Sequence, residues 1–185
     1  MIKKMRDANK RYYSGLSKPR VLMTLYLLFV AGCIIGWIYE ELYYMLDDHV
    51  LVNRGFMYGP WLPVYGVGTI LMLAVLNKLR PYPVFIFLGG TVLCGALEYL
   101  AGMMVWNGLH KHLWDYTGLF LNIQGYVCLR SAITFGFLAL FLFYVLEPAT
   151  NHFLRKLDDR AFFKFGFIVM AVFVFDLVMS LIFRR

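Results

Sequence analysis

The sequence predicts an all-α fold, a polytopic transmembrane bundle of about five spanning helices with two ordered outer loops. Three observations carry that expectation. Of 185 residues, 61% are hydrophobic and 16% charged, with a mean hydropathy of +0.66; a soluble domain of this size would have to display such a composition as adhesive surface. The apolar residues gather in five windows, each near the ~20 residues that cross ~30 Å of hydrocarbon as a helix. The intervening segments carry clustered Lys and Arg, as the flanks of membrane spans do.

In chain order, residues 1–20 are read as a basic cytoplasmic arm and residues 21–185 as a single transmembrane domain. The first span covers Val21–Tyr44. It is too long for the apolar core of a signal peptide and ends in Glu40-Glu41 where a cleavage site would need small residues, so it is expected to stay in the mature protein. Asn53-Arg54-Gly55-Phe56-Met57-Tyr58-Gly59-Pro60 then leads into Trp61. Its Gly, Pro and aromatic density suits an irregular, tightly folded loop. The second span is Trp61–Asn77 and the third Pro83–Trp106, joined by a short basic turn. Residues 107–124 mix His110, Lys111, His112, Trp114 and Asp115 with Leu119, Phe120 and Leu121, too apolar a set to float in water. That loop is expected to cap the bundle. The fourth and fifth spans are Tyr126–Leu146 and Phe165–Phe183, and Asn151–Lys164 between them reads as a basic amphipathic helix at the inner surface.

Charge sets the orientation. Lys3, Lys4, Arg6, Lys10, Arg11, Lys18, Arg20, Lys78, Arg80, Arg155, Lys156, Arg160 and Lys164 all fall on one side of a five-span layout, thirteen of the eighteen basic residues. A cell-membrane, multi-pass protein with a cytoplasmic N-terminus follows from the positive-inside rule. Arg184 and Arg185 are discordant, which a shallow last helix would explain. The net charge of +7 and pI of 9.4 therefore belong to span flanks meeting membrane lipids, and no nucleic-acid partner is expected. Cys33, Cys94 and Cys128 lie in or at predicted spans without a CxxC pattern and read as small core residues.

Charged residues inside apolar windows are the strongest pointers to function, because a carboxylate at the bilayer centre costs about 2.5–3.5 kcal/mol on insertion scales. Gly32, Gly36, Glu40 and Tyr44 recur every four residues and share one helix face. Gly95, Glu98, Tyr99 and Gly102 do the same on the third span. Such small-residue faces allow close helix approach and permit a homodimer. Both acids fall in the outer half, at a depth that Arg130, a turn into the fourth span, also reaches, with Ser131 beside it. Asp176, midway along the last span, is read as pairing with this cluster or facing a dimer partner.

The run Gly36-Trp37-Ile38-Tyr39-Glu40, followed by Asn53-Arg54-Gly55-Phe56, Tyr58-Gly59-Pro60, Pro63, Tyr65-Gly66 and Gly68, resembles the CmpB-like family of ABC-transporter type IV permeases. Leu97-Glu98-Tyr99, Trp114-Asp115-Tyr116 and Asn122, Gly125 and Cys128 are similar to the second half of that family in order and spacing. The resemblance covers roughly residues 30–148. It implies a small, mostly bacterial, multi-pass membrane protein of a family that carries a transporter label without an established activity.

No Gly-x-x-x-x-Gly-Lys-Ser/Thr loop is present, so a permease role requires a separate ATPase subunit. Asn151–Lys164 is the one docking segment in view for it. The four histidines, His49, His110, His112 and His152, lie in loops or at boundaries, which excludes facing haem ligands, and no span contains a Lys for a retinal Schiff base. No cofactor is expected. His110, His112 and Asp115 form a loop cluster, but surface histidines without a metal role are commoner, and no metal is assigned. What remains is a candidate ligand site of Glu40, Arg54, Glu98, Asp115, Tyr116, Asn122 and Arg130 at the outer side. Its three acids and two arginines suit a small polar or amphipathic molecule, such as a lipid headgroup. Binding or translocation is the leading reading. The same residues would serve a membrane enzyme acting on a lipid or its headgroup, with no catalytic residue yet distinguished, or charges holding together a non-catalytic subunit.

Overall fold

The computed structural model describes residues 13, 15–47, 55–110, 112 and 114–184. Among them run five helices: α1 (Lys18–Asp47), α2 (Pro63–Leu76), α3 (Pro83–Leu109), α4 (Leu129–Arg155) and α5 (Asp159–Phe183). The all-helical bundle is thus as expected, and the described residues add only an isolated Ile123–Val127 bridge. By length and composition, α1, α3, α4 and α5 can cross a membrane, whereas α2 is shorter. Its 14 residues span roughly 21 Å at the α-helical rise. Pro63 opens it two residues later than the Trp61 start expected from hydropathy, and a 3₁₀ turn, Asn77–Leu79, prolongs it.

The chain divides into two compact units. One holds Leu71–Val145, the other the described residues before Leu71 together with those from Leu146 onward; they are called here the central and flanking units. The boundaries fall within α2 and α4.

In the central unit, α3 packs on the first half of α4 through small residues. A methyl at Gly90 would overlap Ala139, and one at Gly136 would lie 2.7 Å from the Phe87 ring and closer still to Thr91. Their glycines let the two backbones approach. Phe87 and Phe137 then meet edge to face, 5.1 Å between centroids. Pro83 starts α3, where its missing N–H costs nothing. His110, left-handed at φ 50°, ends it with its N–H on the Trp106 carbonyl. The start of α4 lies at Leu129, because Cys128 is extended and acts as the N-cap.

Midway, α4 widens into a π segment, Leu142–Leu146, just before Pro148. A proline ring crowds the carbonyl four residues earlier and removes a ladder donor, and a wider turn relieves both. The helix therefore continues past the predicted stop at Leu146 to Arg155, carrying Glu147 with it, 1% exposed, whose Oε1 accepts from the Tyr13 hydroxyl at 3.2 Å. Arg80, read from the sequence as a basic flank of the second span, is 3% exposed and lies over the Phe143 ring at 5.0 Å.

The flanking unit has two apolar clusters, Met23, Leu27, Leu154 and Phe162, then Val30, Cys33, Met57 and Phe173. Arg20 ties the first together: it pairs with Asp159, lies 4.2 Å over the Phe162 ring, and donates to the carbonyls of Leu154 and Leu157 at 3.2 and 3.1 Å. The Leu154 carbonyl lies in the last turn of α4 and the Leu157 carbonyl just beyond it, so a cation there also meets the negative end of the helix dipole. Asn151–Lys164 is consequently no single amphipathic helix. α4 ends at Arg155, and Asp158 caps α5 by accepting the Ala161 N–H.

Candidate functional site

Three carboxylates on long apolar helices organise the polar chemistry, Glu98 in the central unit and Glu40 and Asp176 in the flanking unit. Glu98, partly buried on α3, belongs to the central unit. The Tyr116 hydroxyl donates to its Oε1 at 2.9 Å and the Ser131 hydroxyl to its Oε2 at 2.8 Å. These donors come from two elements: the loop after α3 and the first turn of α4.

Local sequence explains how the loop delivers Tyr116. Asp115 accepts from the Thr117 N–H and hydroxyl at 2.8 and 2.6 Å, a side-chain turn that pins the residues on either side of Tyr116. Asn122 makes a second turn, donating to the Leu119 carbonyl at 2.9 Å and accepting from the Gly125 N–H at 3.2 Å. Gly125 closes the arrangement at φ 73°, with its carbonyl taking the Tyr116 N–H at 3.0 Å. A side chain there would be strained in φ and would press within 2.8 Å of both Asp115 and Thr117. Aromatic residues seat the loop on α3: Trp114 donates to the Tyr126 carbonyl, Tyr126 fits beside Gly102, and His112 stacks on Trp106 at 4.4 Å. The Tyr99 hydroxyl, next along α3 from Glu98, donates to Gln124 at 2.8 Å.

The thiol and hydroxyl at the start of α4 form a reciprocal cap. Ser131 N–H donates to Cys128 Sγ, and Cys128 N–H donates to Ser131 Oγ at 3.2 Å. Ser131 is thereby fixed as the third helical residue, with its hydroxyl aimed at Glu98. Sequence reasoning noted Ser131 only as a neighbour of Arg130. The signal was available, since a serine three residues after a cap position with a helix acid opposite is a bridging donor.

In the flanking unit Glu40 accepts from the Tyr65 hydroxyl at 3.1 Å. The Gly32 and Gly36 face below it receives α2, because methyls there would overlap Thr69 and the Tyr65 ring. The adjacent Glu41, not singled out by spacing, is the more buried of the pair.

Asp176 has a partner set that the sequence reading did not foresee. Its Oδ2 accepts from the Gly59 N–H at 2.9 Å and the Trp61 indole N–H at 2.7 Å. One turn on, Ser180 accepts from the Tyr58 N–H at 3.1 Å. Another turn on, Arg184 donates to the carbonyls of Gly55 and Met57 and lies 5.2 Å over the Tyr58 ring. Asp176, Ser180 and Arg184 recur every four residues, so one face of α5 holds the whole 55–61 loop. That spacing was legible, and it gives Arg184 its structural partners.

Of the seven residues expected to converge, Glu98, Asp115, Tyr116, Asn122 and Arg130 lie in the central unit and Glu40 in the flanking unit, while Arg54 lies outside the described residues. Glu98 and Tyr116 touch directly. Asp115 and Asn122 shape the loop around them, and Arg130 is exposed on the first turn of α4. Among the described residues no group of three His, Cys, Asp or Glu side chains is placed to hold a metal ion.

Four helices long and apolar enough to span, with carboxylates tied to ordered loops, define a multi-pass membrane protein. The chain belongs to the family described as "Putative ABC-transporter type IV", whose model matches residues 27–181. Comparisons with curated proteins and with solved structures gave no match.

Proposed function

We propose that the chain is the ligand-recognising membrane component of a transporter, working with a separate ATPase subunit, and that the Glu98 site receives the polar end of a small polar or amphipathic molecule. The supporting observation is the way Glu98 is held. Both carboxylate oxygens take side-chain hydroxyls, from Tyr116 and Ser131. A hydroxyl rotates and can accept as well as donate, so each can turn from the carboxylate to an arriving amine or hydroxyl without unfolding any backbone. The loop over the site, fixed by Asp115, Asn122 and Gly125, keeps Tyr116 ready to close again. Arg130 on the first turn of α4 adds a cation for a phosphate or carboxylate on the same ligand. The N-terminus is cytoplasmic in this proposal, on the strength of the basic arm, and the site faces the outer leaflet.

Extraction with native lipids, followed by mass spectrometry of everything that co-purifies, tests it. A small molecule or lipid retained by the parent and lost from both Glu98→Gln and Tyr116→Phe is the expected result. Identical contents in parent and variants would make Glu98 a structural residue. Recovery of the molecule with altered covalent mass after incubation would replace transport by turnover.

A further inference from the structure

We infer that the flanking unit carries a site for an anionic phospholipid: one acyl chain lies in a groove between α1, the last part of α4 and α5, and its phosphate meets the basic turn joining α4 to α5. The groove holds about 520 Å³ and is lined by Leu27, Val30, Phe153, Phe165, Val169 and Val172 among other apolar side chains, with Thr150 the hydroxyl among them. That volume is within the ~300–1,000 Å³ of small-molecule sites, but its walls lack the polar groups that would orient a polar ligand. A hydrocarbon chain needs none.

Charge at the ends selects the headgroup. At one end the Phe153 and Phe165 rings meet at 5.8 Å. Beyond them lie Lys156 in the turn and Arg160 and Lys164 on the first two turns of α5, all exposed, Lys164 adjoining Phe165 in sequence. The two acids of the turn are engaged within the fold: Asp159 pairs with Arg20, and Asp158 caps α5. The turn therefore offers net positive charge to a phosphate. At the other end stands Trp61, its indole N–H committed to Asp176. A second copy is a poorer occupant. Two copies inserted the same way would set their Lys156, Arg160 and Lys164 on one side of the membrane and close together, which repels.

The test uses the full chain in neutral detergent, titrated with dioleoylphosphatidylglycerol or dioleoylphosphatidylcholine and read by native mass spectrometry. The parent is expected to bind one phosphatidylglycerol at least about fivefold more tightly than phosphatidylcholine, the effect of even a single basic residue at a surface. Ile168→Trp, on a half-exposed groove residue, should lower that occupancy several-fold, whereas Val174→Trp, half-exposed on α5 outside the groove, should leave it unchanged. Lys156→Glu with Lys164→Glu should abolish the preference between the two lipids and so keeps the inference testable if Ile168→Trp fails to fold. Equal binding of the two lipids by the parent, or unchanged phosphatidylglycerol binding by either groove or charge variant, overturns the proposal. A dimer in the parent that Ile168→Trp converts to monomer, without lipid loss, would assign the groove to a second copy and also overturn it.

Discussion

Asp176 and Glu98 are both carboxylates set into long apolar helices and both are held by a loop, yet the loops hold them with different groups. Asp176 takes a main-chain N–H and an indole, and Ser180 on the same face takes another main-chain N–H. If that loop left, its part-buried backbone donors would lose their acceptors, which costs free energy unless water replaces them. Glu98 takes two hydroxyls, whose hydrogens can turn to another acceptor while Ser131 Oγ keeps the Cys128 N–H. Backbone donors turn a membrane carboxylate into an anchor, while hydroxyl donors leave it exchangeable. In the function proposed above, the difference separates a residue that builds the fold from one that meets a ligand.

The largest effect should come from breaking the anchor. Asp176→Ala removes the acceptor of Gly59 and Trp61, and each orphaned donor costs about 1–3 kcal/mol. A clear fall in the thermal midpoint in detergent is expected, with protease sensitivity appearing in the 55–61 loop. Glu98→Gln retains an acceptor and adds a donor, so its stability should stay within about 1 kcal/mol of the parent. A larger loss for Glu98→Gln than for Asp176→Ala would reverse the assignment of the two sites.

A second contrast concerns the glycines beneath the acids. Gly36→Ala puts a methyl into the Tyr65 ring, whose hydroxyl reaches Glu40, and overpacking of this kind costs about 1–3 kcal/mol. Gly95→Ala, three residues before Glu98, meets Ala132 and Val127 at 3.8 Å, ordinary contact. It should be neutral or slightly stabilising. Paired thermal melts decide this, and equal destabilisation by the two alanines would count against the close α1–α2 crossing.

The helices were readable because a bilayer demands long apolar windows, and the windows beginning near Val21, at Pro83 and ending at Phe183 all correspond to helices. Their ends were less readable. Tyr126 to Cys128 is apolar enough to be counted in the fourth span, yet Cys128 is an extended cap, a distinction that depends on one thiol and one hydroxyl. The run past Leu146 lay beyond the apolar window, and the helix continues there across Pro148 by way of a π segment. Among the candidate site residues, Glu98 and Tyr116 were both singled out and touch, whereas the bonds of Asp115 and Asn122 within their own loop were not foreseen. Composition shows that a loop is polar and ordered; which side chains face inward depends on turn geometry that only the fold supplies.

The smallest effect expected is on pH response, and it bears on whether the loop over Glu98 behaves as a unit. Asp115 is exposed, and the Thr117 hydroxyl, then the Thr117 N–H, hold its carboxyl below the ordinary carboxylate range. A depressed folded-state pKa contributes stability that is present above the ordinary value, about 3.9, and is lost as pH falls through the lower folded value. Between pH 7 and 5 the loop should therefore be insensitive to pH. Amide exchange at Thr117 and Tyr116, followed from pH 5 toward pH 2.5 after correction for intrinsic rates, should accelerate in the parent. Asp115→Asn should flatten that dependence, because an amide oxygen accepts the same two bonds without titrating. Were Tyr116 to stay protected while Thr117 opened, Asp115 would hold only its own turn, and the readiness of Tyr116 for Glu98 would rest on its N–H bond to Gly125 instead.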